Sequence, residues 1–140
     1  MKKLLMLMLL VFPFIAHGEV ETEILCFRAF EGNDIKFEFR NYHDPAAKWS
    51  GALVKYATSK ESIPLVHKST EQEATTEGRS YLFITRWSEV VGGAITGEYV
   101  MVRQGPVIYA MSYKNAKSKK HYSFERYPSI KSSPETGCQW

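Results

Sequence analysis

Along residues 35–40 the apolar Ile35, Phe37 and Phe39 alternate with the charged Lys36, Glu38 and Arg40. One apolar and one charged face at a period of two is the pattern of a half-buried antiparallel strand. Strand-like runs occur at 23–30, 35–42, 51–57, 63–67, 80–87, 94–103, 107–114 and 121–127. The segments between them carry reversal chemistry: Gly32 and Asn33, Asp44-Pro45, Gly92-Gly93, Gly105-Pro106, and the polar stretch 115–120. Pro64 has no N–H to give to a ladder, so the 63–67 run is expected at a sheet edge or bent. The polar stretch 68–79 reads as a connection with at most one turn of helix over 69–78, because its apolar positions do not recur at three and four. Residues 128–137 read as a flexible tail.

These elements predict an all-β chain, a single antiparallel eight-stranded meander forming a small barrel or a two-sheet sandwich. Closure removes exposed edges and a sandwich must protect them, and periodicity does not choose between the two. Two runs are apolar on both sides. In 80–87, Tyr81, Phe83 and Trp87 oppose Leu82 and Ile84; in 107–113, Val107, Tyr109, Met111 and Tyr113 oppose Ile108 and Ala110. One side faces the core, and the other is either an interaction stripe or ordinary cross-strand packing.

The first residues change the picture of where the chain works. Lys2 and Lys3 precede an apolar run from Leu4 to Ile15, followed by Ala16, His17 and Gly18. That is the layout of a secretory signal peptide, too short to span a bilayer, with small residues at −3 and −1. Cleavage is expected between Gly18 and Glu19, leaving one domain over 19–140, no transmembrane span, and a periplasmic or secreted location. Without Lys2 and Lys3, the 18 basic residues fall to 16 against 15 acidic ones. Such a balance gives no bulk attraction to nucleic acid. Cys26 and Cys138, an even pair in an exported chain, read as a disulfide that ties the tail 128–140 back to the first strand.

No catalytic or cofactor pattern emerges. His43, His67 and His121 fall in three different elements, and His43-Asp44 are neighbours that face opposite ways on extended backbone. Ser50, Ser80 and Ser88 lack a nucleophile elbow, and Glu71, Glu73 and Glu77 read as a solvated acidic loop. The reading is therefore a non-enzymatic, cofactor-free and metal-free binding protein. Two segments are candidates for contact. Lys114, Lys117, Lys119, Lys120 and His121 make a basic hairpin suited to an anionic surface, although lysines at turns also keep sheets soluble. The other is the stretch 75–81, where a glycine in a polar run leads into a strand.

Within it, "EGRSY" (77–81) resembles the SGxxY loop of the periplasmic lysozyme inhibitors of Gram-negative bacteria, with Gly78 and Tyr81 at the family's interval and Glu77 in place of its serine. The resemblance implies an exported β domain whose loop enters the cleft of a cell-wall hydrolase. It makes Glu77, Gly78, Arg79, Ser80 and Tyr81 the partner-binding residues, with Tyr81 anchoring the base and Arg79 reaching the two carboxylates of a muramidase cleft. The alternative is a β-barrel that binds a small ligand or an envelope component.

Overall fold

Alternation and turn chemistry produce eight long strands: β1 (Glu21–Ala29), β2 (Lys36–Asp44), β3 (Trp49–Tyr56), β4 (Ile63–Glu73), β5 (Leu82–Val91), β6 (Ala94–Gln104), β7 (Val107–Asn115) and β8 (His121–Arg126). The computed structural model describes residues 18–30, 34–76, 78 and 80–140. Residues 1–17 of the expected signal peptide lie outside them, as do Glu77 and Arg79. Each strand pairs antiparallel with the next, and β1 pairs with β8, so the meander closes into a barrel. The closing seam is short: Phe27, Arg28 and Ala29 against Arg126, Glu125 and Phe124.

An eight-stranded barrel is just narrow enough for side chains to fill. Leu25, Phe27, Phe37, Phe39, Val54, Trp87, Tyr99, Met111 and Phe124 do so, all buried. Phe37 is the hub. Its ring lies 4.8 Å from Phe124 and 5.3 Å from Phe27, with Tyr56 and Tyr99 at 5.7 and 5.8 Å. Centroid separations of this size are those of favourable aromatic pairs.

Three features depart from the sequence reading. The stretch expected to be a loop or helical turn after His67 is strand: β4 runs on to Glu73, past a bulge between His67 and Ser69. Its pairing with β3 ends at Gly51↔Val66, so the outer half of β4 is held by β5 alone. That half projects beyond the neighbouring wall, and no apolar face is demanded of it. Pro64 sits on β4 ahead of the first pair with β5, Leu65↔Glu89, where a missing N–H costs no bond to β5.

In β7, a bulge lets Arg103 face Ile108 while Val102 faces Ala110. Tyr109 is the extra residue, and it is 62% exposed, whereas Met111 and Tyr113 point inward. The even stripe read from 107–113 is therefore broken at Tyr109.

The tail is the third departure. Ser132–Ser133 (β9) and Gly137–Cys138 (β10) form a small hairpin, fastened by the Cys26–Cys138 disulfide. It covers Glu38 on the outer side of β2, leaving it 4% exposed. The Cys138 N–H donates to Glu38 Oε2 at 2.6 Å, Arg40 pairs with the same carboxylate, and Arg40 Nη1 donates to the Pro134 carbonyl at 3.0 Å. A buried carboxylate with these partners explains why 128–137 is ordered and not a loose end. Gly137 takes φ 66°, and a Cβ there would collide with the Glu38 carboxylate.

Candidate functional site

The β2–β3, β4–β5 and β6–β7 connections share one end of the barrel, here the upper end; the β5–β6 and β7–β8 turns lie at the lower end. Residues 75–81 join β4 and β5 at the tip of the projecting ribbon. Gly78 has φ 84° with nothing within 4 Å of a Cβ position, so the tip is open and suited to glycine.

What fixes the base of this loop is a polar chain across two hairpins. Thr75 Oγ1 donates to the Ser80 carbonyl at 3.0 Å, and Gln104 Nε2 donates to the same oxygen at 2.5 Å. The Tyr109 hydroxyl donates to Gln104 Oε1 at 3.0 Å. Gln104 is in place because it ends β6 opposite Leu82 and Val107. Tyr81, expected to anchor the loop, precedes β5 and is 51% exposed. Its anchoring role passes to Gln104 and Thr75, and the Tyr81 ring is free to make contact. Gln104 was not marked by the sequence, since no local pattern links it to a carbonyl 24 positions earlier.

Inside the upper half the lining turns polar. Arg103 on β6 reaches across to Glu23 on β1, with Nη1 and Nη2 each 2.9 Å from a carboxylate oxygen. The Arg103 hydrogen bonds hold the Glu23 carboxyl below its usual range; desolvation opposes this, and Asn41 and Arg126 reinforce it. Asn41 Oδ1 is buried there without a hydrogen-bond partner among the described residues. A depressed folded-state pKa contributes stability that is complete above the unfolded carboxylate value and is lost as pH falls through the folded one. We expect the unfolding free energy to fall on acidification below about pH 4.5, and the Glu23→Gln variant to show a flatter acid limb in urea titrations at successive pH values.

The histidines stay apart. His43 Nδ1 lies 2.9 Å from Ser50 Oγ, and His67 Nε2 lies 2.8 Å from Thr70 Oγ1. Among the described residues no carboxylate is hydrogen-bonded to a histidine; Asp44 instead accepts from the Ala46 and Ala47 N–H groups and shapes its turn. A serine–histidine contact without an orienting acid lacks one part of a nucleophilic triad.

At the lower end a second polar set closes the core. Glu89 accepts from the Tyr113 hydroxyl at 2.9 Å and from Thr96 Oγ1 at 2.7 Å, while Tyr56 and Tyr99 hydroxyls meet at 2.5 Å. Burial, with the bond to Glu89, pushes the Tyr113 phenol up to about 12. Gly97 is required beneath it, because a Cβ would enter the Tyr113 ring. The basic residues also sit at this end: Lys114 is the last residue but one of β7, Lys117, Lys119 and Lys120 lie in the turn, and His121 opens β8. The two candidate contact segments therefore occupy opposite ends of the barrel.

A crevice of about 330 Å³ opens where β7 leaves β8, between Ile108, Tyr109, Phe124 and Arg126. Among the described residues no group of three or more His, Cys, Asp or Glu side chains is placed to hold a metal ion, and no helix is long and apolar enough to cross a membrane. No protein-family model, curated protein or solved structure matches this chain.

Proposed function

We propose that the protein is an exported, non-catalytic binder that inhibits a cell-wall hydrolase of the lysozyme type, or confers immunity to one, by inserting the 75–81 loop into its cleft. The observation that carries this reading is the bracing of the loop: Thr75, Gln104 and Tyr109 hold its base, while Gly78 and Tyr81 are exposed. A loop whose base is fixed before binding loses less conformational entropy on entering a cleft than one tethered loosely. The disulfide and the expected signal peptide support a periplasmic or secreted site of action. Tyr81 supplies aromatic contact area, and Arg79 would meet acidic groups in the cleft.

The test is a titration of the chain 19–140 against a panel of lysozymes and wall amidases. One of them should slow at micromolar protein or below, and Tyr81→Ala and Arg79→Ala should each weaken inhibition about tenfold or more. Gln104→Ala should weaken it several-fold with melting nearly unchanged, because it loosens the loop and not the core. If no hydrolase slows, or if Tyr81→Ala and Arg79→Ala inhibit as well as the parent, the proposal fails. The second reading, a small-ligand binder, is favoured by the β7–β8 crevice. It would be supported by saturable uptake of an apolar probe that Ile108→Trp blocks.

A further inference from the structure

The lower rim joins an apolar finger to a basic one. The β5–β6 reversal is Val91-Gly92-Gly93-Ala94-Ile95, in which Val91 is 49% and Ile95 66% exposed. Gly92 and Gly93 have φ 59° and 77° with nothing within 4 Å of a Cβ position, so the tip is narrow and open. Hairpin tips in water are usually polar, and the exposed side chains of this one contribute nothing to the barrel core.

Alongside stands the β7–β8 turn. The Ala116 N–H donates to the Thr96 carbonyl at 2.9 Å, which binds the two tips together. Asn115 Oδ1 accepts from the Lys117 and Ser118 N–H groups, and Lys119 Nζ donates to the Ala116 carbonyl at 2.6 Å. The turn is thus held in one shape. Between the fingers and β4 lies a groove of about 330 Å³ bordered by Ile95, Gly97, Glu98, Lys68, Lys114 and Lys119. Glu98, its carboxylate, is taken by Lys68 at 2.5 Å. Lys114, Lys117 and Lys120 are exposed and form no ion pair among the described residues.

We infer that this rim docks on an anionic phospholipid bilayer, with Val91 and Ile95 entering the headgroup boundary and the lysines lying against lipid phosphates. Exposed apolar side chains flanked by unpaired cations are the signature of interfacial binding. A soluble polyanion would use the lysines and leave the apolar tip without purpose. Docked this way, the barrel presents its 75–81 loop on the side away from the lipid. The inference is independent of the hydrolase reading, since it uses residues at the other end.

Flotation of the chain 19–140 with vesicles tests it; the barrel and its disulfide lie entirely within those residues. Binding to vesicles with about a third anionic phospholipid should exceed binding to pure phosphatidylcholine, and should fall with salt. Lys114→Gln with Lys117→Gln should lower partitioning roughly 25-fold; Ile95→Ser and Val91→Ser should each lower it about tenfold. All four positions are at the surface, so melting should not change. No binding to anionic vesicles, or equal binding to neutral ones, would overturn the inference. So would displacement by inorganic pyrophosphate with Ile95→Ser and Val91→Ser unaffected, which marks a soluble-anion site.

Discussion

Removal of the Cys26–Cys138 bond lowers the unfolding free energy by about 4–5 kcal/mol, the chain-entropy value for a loop of more than a hundred residues. The bond spans 112 positions, and it fastens the β9–β10 hairpin over β1 and β2. Without it the hairpin can lift. Glu38 would then exchange its bond from the Cys138 N–H for water, and the outer face of β2 would open. Urea denaturation of the oxidised protein and of the Cys26→Ser/Cys138→Ser variant measures the difference. A loss below about 1 kcal/mol would mean that the hairpin holds itself in place without the crosslink. The 75–81 loop is braced by Gln104 and Thr75 far from this bond, so hydrolase inhibition should survive at temperatures where the variant remains folded.

Phe37→Ala should cost about 3–5 kcal/mol, the range for truncating a fully buried aromatic side chain. Phe37 touches rings from β1, β3, β6 and β8, namely Phe27, Tyr56, Tyr99 and Phe124. A barrel wall cannot collapse far onto a missing ring, because its circumference is set by hydrogen-bonded strands. The substitution should therefore leave a cavity and not a repacked core. Denaturant midpoints give the cost, and uptake of xenon or benzene by the variant alone would report the void. A cost below about 1.5 kcal/mol would show that the wall relaxes freely.

The strands were legible wherever one face had to be apolar. In β2 the inward Phe37 and Phe39 alternate with Lys36, Glu38 and Arg40, and the period is visible at once. In outer β4 the same geometry is invisible, since Thr70, Glu71, Gln72 and Glu73 extend past the last pair with β3 and meet no core. Tyr109 defeated the reading for a different reason. A bulge adds one residue to a strand and inverts the parity of everything before it, and nothing in 107–113 announces the insertion.

The candidate site was half legible. Gly78 marked the loop because its conformation is local; Gln104 was hidden because its bond to the Ser80 carbonyl joins two hairpins. The basic turn was readable as a charge run. The apolar turn 91–95 was readable only as a reversal, since exposure is a property of the assembled barrel.

The sequence by itself determined the number and order of the long strands, the places where the chain reverses, and the pairing of two cysteines. Each follows from local backbone preference or from simple counting. Tertiary structure alone decided that the meander closes and that the tail becomes a lid over Glu38. Those outcomes depend on registers summed around eight strands and on contacts a hundred residues apart, to which a side-chain period of two is blind.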